Sequence, residues 1–144
     1  MKPILRRLDH IGIAVRDLER SLGFYRDVLG LRHEQTCEET ARQLTAAVLD
    51  GCNTHLELLQ STAPGSLIDR FIEKRGEGIH HLCFEVEDIQ AALAQLEQAG
   101  MRLVDRQPRP GVGGALVAFV HPSSTGGVLL ELSEKKKQPS TGSG

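Results

Sequence analysis

The sequence lacks the features that direct a chain to a membrane, a nucleic acid or an oxidising compartment. No apolar run approaches the roughly 20 residues of a membrane-spanning helix. No apolar segment follows the basic N-terminus, so we expect no secretory signal. The formal net charge of −2 gives no reason to expect nucleic acid or an anionic membrane surface as a partner. The three cysteines form no Cys-x-x-Cys motif, which is typical of a reducing cytoplasm.

What the sequence does contain is a strand-then-helix pattern that occurs twice. Around His10 and around His81, apolar and polar residues alternate as in a half-buried strand. A helical pattern then begins at Asp17 and at Asp88, which are predicted to cap the two helices. Both pairs are 71 residues apart (81 − 10 and 88 − 17). A period of this length is too long for a solenoid unit and indicates a duplicated module.

The predicted element order supports the duplication, because each half runs strand, helix and three strands. In the first half we predict strands at 8–15, 31–34, 44–49 and 54–59 and a helix at 17–29. In the second half we predict strands at 79–86, 101–105, 115–120 and 128–133 and a helix at 88–99. Residues 36–42 and 108–114 are predicted as loops.

We therefore predict an α+β fold in which two tandem βαβββ modules form one open, barrel-like mixed sheet. The sheet has about eight strands, and the helices lie on its convex side. With 144 residues the chain is predicted to be a single domain, with module 1 at about 7–60 and module 2 at about 78–133. Residues 61–77 are predicted as a linker with a short helix, and 134–144 as a disordered tail.

In each module a histidine on the first strand and a glutamate on the last strand share one face. These residues are His10 and Glu57 in module 1 and His81 and Glu131 in module 2. Their apolar neighbours face the helix, so the four lie on the opposite face and pseudo-two-fold symmetry brings them into one cavity. Two imidazoles and two carboxylates suit a divalent ion such as Co²⁺, Mn²⁺, Zn²⁺, Ni²⁺ or Fe²⁺. Spacing alone leaves an alternative open, in which the glutamates are solvated strand ends and the histidines are structural.

The remaining histidines are interpreted as structural. His80 is adjacent to His81 but falls on the helix side of its strand. His33, His55 and His121 have no counterpart in the other module, so the duplication gives no reason to assign them a function.

Four motifs resemble a known family. They are Leu-Asp-His-Ile-Gly-Ile-Ala-Val at 8–15, Gly-Glu-Gly-Ile-His-His-Leu at 76–82, Phe-Val-His-Pro at 119–122 and Gly-Val-Leu-Leu-Glu-Leu at 127–132. Together they resemble the vicinal-oxygen-chelate superfamily, which includes glyoxalase I, extradiol dioxygenases and bleomycin-binding proteins. Within that superfamily, the chain is similar to the methylmalonyl-CoA epimerase family over about residues 7–134.

The resemblance implies both a site and a reaction. It implies that His10, Glu57, His81 and Glu131 bind a divalent metal ion and that Glu131 is also a proton-transfer base. The implied reaction removes and returns the proton alpha to a thioester carbonyl, most simply interconverting (R)- and (S)-methylmalonyl-CoA. The metal ion would stabilise the developing negative charge, and one proton-transfer group would serve each face of the substrate. The implied partners are an acyl-CoA thioester and a second copy of the chain.

One departure from the family pattern leaves alternatives open. Some epimerases carry a further glutamate on the strand equivalent to 44–49, and this chain has no acid there. The second proton-transfer group is therefore unassigned. The alternatives are a lactoylglutathione lyase of the glyoxalase I type and a metal-free small-molecule-binding resistance protein. The retained histidines and glutamates argue against the metal-free protein.

Overall fold

The computed structural model describes residues 3–136, which form a mixed sheet with helices. These residues contain eight strands: β1 (Leu5–Ala14), β2 (Arg32–Glu39), β3 (Leu44–Asp50), β4 (His55–Ser61), β5 (Gly78–Val86), β6 (Arg109–Pro110), β7 (Leu116–Val120) and β8 (Leu130–Glu134). Over the same range the α-helices are α1 (Leu18–Leu22), α2 (Leu67–Arg75) and α3 (Ile89–Gln98). None of the helices described is long and apolar enough to cross a bilayer.

The strand order in the sheet is β2-β3-β4-β1-β5-β8-β7-β6. The pair β1 and β4 is parallel, whereas β2–β3, β3–β4, β6–β7 and β7–β8 are antiparallel. The predicted α+β class and the predicted mixed sheet of about eight strands are therefore confirmed.

Contacts between residues divide the chain into two compact units. The first unit is Leu8–Cys83, and the second unit is formed by the residues before and after it. β1 and β5 each contribute residues to both units. The predicted tail begins at Glu134, which is the last residue of β8, and residues 137–144 lie outside the described residues.

Two apolar clusters cover opposite faces of the sheet in the first unit. One face packs on α1 through Val15, Leu18, Leu22, Ala47, Leu49 and Leu58. The other face packs on α2 through Ala14, Leu44, Ala46, Leu59, Ile68 and Ile72. Because side chains alternate along a strand, His10 and Gly12 share the α2 face of β1 with Ala14. This is the face on which the predicted site was expected.

The second unit has one apolar cluster, in which α3 covers a single sheet face. Val86, Ile89, Ala92, Leu93, Ala118, Val120 and Leu132 form this cluster. Glu131 precedes Leu132 in β8, so its side chain lies on the face away from α3. The alternation read from the sequence therefore holds in this unit as well.

Both predicted helix caps are confirmed. The Oδ1 atom of Asp17 accepts a hydrogen bond from the backbone N–H of Arg20 (3.2 Å), and Oδ1 of Asp88 accepts one from Ala91 (3.1 Å). The helix predicted at 17–29 is α-helical only to Leu22 and continues as a π-helical turn over Gly23–Val28.

Two sequence-based boundaries were wrong. The strand predicted at 101–105 is a single bridge between Leu103 and Val120, with β6 falling in the predicted loop that follows. The ladder stops because the carboxylate of Asp105 accepts the backbone N–H of Phe119 (2.8 Å), which is then unavailable to a strand. The loop predicted at 36–42 belongs largely to β2, which pairs with β3 as far as Glu39.

Candidate metal centre

Two histidines meet in the first unit. His10 lies on β1 and His81 on β5, and both side chains are buried. Their Nε2 atoms are 3.1 Å apart, and the rings meet edge to face at an interplanar angle of 88°. The sequence therefore predicted correctly that these two residues approach each other across 71 positions of the chain.

The other nitrogen of His10 faces two carboxylates. Nδ1 is 2.8 Å from Oδ2 of Asp9 and 3.1 Å from Oε2 of Glu57. An imidazole that donates its Nδ1–H to a carboxylate keeps the Nε2 lone pair available as a ligand. Asp9 and Glu57 thus select the tautomer of His10 whose Nε2 lone pair faces His81.

His81 is held in a similar way, by another histidine. Its Nδ1 is 3.0 Å from Nδ1 of His80, whose ring packs edge to face on Phe71 at a centroid distance of 4.9 Å. In the tautomer in which Nδ1 of His81 donates to His80, Nε2 of His81 keeps its lone pair. His80 was interpreted as structural, and its contact shows that it also orients the imidazole of His81.

This geometry fits a divalent metal ion. With both Nδ1 atoms protonated, two Nε2 lone pairs face each other, and they repel unless a proton or a cation lies between them. Metal–nitrogen bonds of about 2.1 Å at right angles would place the nitrogens about 3 Å apart, close to the observed 3.1 Å. Carboxylates on the far side of a ligand histidine are a usual feature of such centres.

The absence of a side chain at Gly12 gives the imidazole of His81 its place. A Cβ atom at this position would lie 2.2 Å from Cε1 and 2.5 Å from Nδ1 of His81. In the sheet, Gly12 is in register with Glu57 on the neighbouring strand β4. The imidazole therefore lies directly over the backbone of β1, two residues after His10.

The predicted carboxylate ligands are found in two different settings. Glu57 contacts the Nδ1 edge of His10, not the Nε2 edge that faces His81. Glu131 belongs to the second unit, where it is buried on β8 in register with Phe119. The assignment of Glu57 and Glu131 as ligands remains a prediction.

Sequence reasoning missed Asp9 and Cys83, which both lie beside His10. One ligand-type atom from each of Asp9, His10 and Cys83 lies within 4.8 Å of the other two. Asp9 was missed because adjacent strand residues are expected on opposite faces. Cys83 shares the face of His81 by alternation, which was the available signal, but its equivalent in the duplicated pattern is Gly12, which has no ligand atom.

An acidic environment also surrounds Cys37 on β2. Burial raises the pKa of the Cys37 thiol, and the nearby carboxylates of Glu57 and Glu39 raise it further. Glu39 itself forms an ion pair with Arg42 (2.7 Å). The pKa of the Cys37 thiol is therefore sensitive to the negative charge of Glu57.

Comparison with known families agrees with this geometry. The sequence profile of the Glyoxalase/Bleomycin resistance protein/Dioxygenase superfamily matches residues 9–119. The chain belongs to this superfamily. This match confirms the resemblance predicted from the four motifs. The two buried histidines, whose spacing suits a metal ion, are consistent with membership of this superfamily.

Within the superfamily, the similar proteins include acyl-CoA epimerases. The ethylmalonyl-CoA/methylmalonyl-CoA epimerase of Cereibacter sphaeroides is 40% identical, over 91% of this chain and 99% of that protein. The crystal structure of methylmalonyl-CoA epimerase from Mycobacterium tuberculosis has a TM-score of 0.88 at 33% identity, covering 95% of this chain and 93% of that one. A variant of the Streptomyces coelicolor methylmalonyl-CoA epimerase, in complex with 2-nitronate-propionyl-CoA, has a TM-score of 0.85 at 34% identity, covering 94% and 99%.

Proposed function

We propose that this protein is a metal-dependent epimerase that interconverts (R)- and (S)-methylmalonyl-CoA. The observation that carries the proposal is the pair of buried histidines with converging Nε2 atoms, in a chain 40% identical to an acyl-CoA epimerase over nearly its whole length. The superfamily alone would also allow a lyase, whereas the relatives with a named activity at 35–40% identity over about nine-tenths of this chain are acyl-CoA epimerases.

The reaction breaks the C–H bond at C2 of the acyl group and forms it again on the opposite face. A divalent cation at this site would supply Lewis-acid stabilisation of the negative charge that develops on the thioester carbonyl. His10 and His81 would hold the ion through Nε2. Asp9 and His80 keep the two imidazoles in the required tautomer and orientation.

The carboxylates complete the proposed site. We assign Glu57 and Glu131 as oxygen ligands on the basis of the repeated pattern in the sequence. In one direction of the reaction Glu131 takes the C2 proton from one face of the substrate, while the second group delivers a proton to the opposite face; in the reverse direction the two roles are exchanged. The burial of Glu131 on β8 suits such a base. The group that serves the other face is left unassigned, because β3 carries no acidic side chain before its last residue, Asp50.

We further propose that the enzyme is a cytoplasmic homodimer. The support is that β2 is an edge strand of the sheet, and self-association covers such edges. Light scattering at micromolar concentration should therefore give twice the mass of the chain, and the mass of a single chain would contradict the dimer.

The test of the function is hydrogen exchange at C2. The purified protein should contain a divalent metal and should catalyse deuterium incorporation into methylmalonyl-CoA in D₂O. His81→Ala should lose metal and exchange together while the fold is retained, because the imidazole contributes little apolar packing. A parent protein that exchanges no deuterium but converts the hemithioacetal of methylglyoxal and glutathione would be a lyase instead.

A further inference from the structure

Gly12 occupies a position in β1 where a glycine is not required by the backbone. It lies inside a ten-residue strand and is not among the glycines with positive φ. Glycine in a strand interior weakens the strand, because it loses more conformational freedom on folding and offers no side chain to pack. The reason for glycine at this position must therefore be the space that it leaves.

That space is filled by the imidazole of His81. A Cβ atom on residue 12 would lie 2.2, 2.5 and 2.9 Å from Cε1, Nδ1 and Nε2 of His81. All three distances are shorter than real Cβ contacts allow, so either the ring or the strand would have to move. For no other glycine in the described range does a histidine ring supply any of the three atoms nearest to the ideal Cβ position.

We propose that Gly12 is a positioning residue of the metal centre, and that its missing side chain is what lets Nε2 of His81 reach Nε2 of His10. This inference rests on the proposed metal site. The imidazole of His81 contacts His80 through Nδ1 at 3.0 Å and faces Nε2 of His10 through its own Nε2 at 3.1 Å. Displacing the ring by the width of a methyl group therefore breaks both contacts.

The direction of displacement follows from the position of the ring over β1. Gly12 lies beneath the ring of His81, so a methyl group at residue 12 pushes the ring away from β1, the strand that also carries His10. The backbone of β1 is fixed by its pairing with β4, where Gly12 is in register with Glu57. The ring is consequently the part that moves, and the ligand geometry is lost while the strand remains.

The experiment measures Co²⁺ binding to the purified Gly12→Ala variant by competition with a chromogenic chelator. The expected result is an affinity lower by about 10- to 100-fold, the usual effect of changing a group that orients a ligand histidine. The visible absorption bands of bound Co²⁺ should shift as well, because the coordination geometry changes. Gly23→Ala is the matched control, since no atom lies within 4 Å of the Cβ position there, and its Co²⁺ affinity should equal that of the parent.

A double variant distinguishes the clash between residue 12 and the ring of His81 from a general effect of residue 12 on folding. In the His81→Ala background the ring is absent. Adding Gly12→Ala should therefore leave the thermal midpoint unchanged, and the residual Co²⁺ affinity should change by no more than about twofold. If Gly12→Ala alone unfolds while the double variant folds, the clash with the ring is demonstrated directly. If the double variant also unfolds, residue 12 has a different role and the inference is overturned.

The two proposals fail in different ways. If the parent and the Gly23→Ala control bind no Co²⁺, the metal site itself is wrong, and the inference falls with it. If the parent binds Co²⁺ and His81→Ala does not, but Gly12→Ala binds within twofold of the parent, only the role of Gly12 is overturned. If His81→Ala, Gly12→Ala and Gly23→Ala all bind Co²⁺ as the parent does, His81 is not a ligand and the inference is overturned.

Discussion

His10 and His81 each use one nitrogen for orientation and keep the other available. Asp9 performs the orienting role for His10 at 2.8 Å, and His80 performs it for His81 at 3.0 Å. A carboxylate makes Nδ1–H of His10 the stronger donor and its Nε2 the more electron-rich ligand. The two imidazoles are therefore unequal, and His10 should contribute more of the metal affinity.

The sharpest prediction at the residue scale concerns Glu131. Glu131→Gln should retain much of the bound metal, because an amide oxygen still coordinates. It should lose about 10²- to 10⁴-fold in epimerisation rate, because an amide cannot accept the C2 proton. The substrate enantiomer served by Glu131 should lose its deuterium exchange while the other enantiomer still exchanges slowly, which NMR of each enantiomer in D₂O would measure.

The control for this variant lies on the same strand. Glu134 is also on β8, but its carboxylate accepts the backbone N–H of Ile89 at the start of α3. Glu134→Gln should leave the exchange rate nearly unchanged. Epimerisation within a few-fold of the parent by Glu131→Gln, with normal metal content, would make Glu131 a ligand only.

Cys37 provides a pH-dependent prediction. Because burial raises the pKa of its thiol above the ordinary value of 9.0 and the charges of Glu57 and Glu39 raise it further, alkylation should keep accelerating above pH 9. Glu57→Gln removes one of these charges, lowers the thiol pKa and should speed alkylation at pH 8 by roughly twofold or more.

Iodoacetamide labelling followed by peptide mass spectrometry would follow Cys37 separately from the other cysteines. Glu38→Gln is the matched control, because Glu38 pairs with Thr45 and lies on the opposite face of β2 from Cys37. Equal rates for the two variants would show that Glu57 does not act on this thiol.

The helices of the two units start in the same way, and their caps can be tested together. Asp17 and Asp88 each accept the backbone N–H three residues on. Replacing either by alanine should lower the free energy of unfolding by about 1 kcal/mol, measured as the shift of the urea midpoint. Asp27→Ala, at an exposed position in the π-helical turn, should leave the midpoint nearly unchanged.

Which elements could be predicted depended on whether the determining interactions were local. The caps at Asp17 and Asp88 and the alternation around His10 and His81 are properties of neighbouring residues, so the sequence predicted them correctly. The end of the sheet ladder near Leu103 depends on where the carboxylate of Asp105 finds a donor, and that donor is 14 residues away. No local pattern encodes such a contact.

The site was predictable to the same extent. Strand alternation and duplication identified His10 and His81, since both follow from regular geometry. The carboxylate of Asp9 reaches Nδ1 of the adjacent residue, His10, through a side-chain torsion. The alternation of side chains along a strand does not determine this torsion. The role of Gly12 depends on a ring that arrives from β5, 69 positions later in the sequence (81 − 12).

For the whole molecule, the metal ion should act as a stabilising ligand. If it binds only the folded chain, a free Co²⁺ concentration about 100 times Kd adds about 2.7 kcal/mol to the free energy of unfolding. The thermal midpoint should rise by several degrees and fall again when a chelator is added. His81→Ala should show no such shift in differential scanning calorimetry, and an equal shift in both proteins would indicate binding elsewhere.

The residue opposite each histidine shows that the two halves of the chain have diverged. Gly12 and Cys83 are equivalent in the duplication, since they too are 71 positions apart (83 − 12). Gly12 has no side chain and leaves space for the imidazole of His81, whereas Cys83 has a buried side chain at the equivalent position. Two identical copies of the second half would therefore place a cysteine side chain where the imidazole of His81 requires a glycine, so the two sequence halves are not interchangeable.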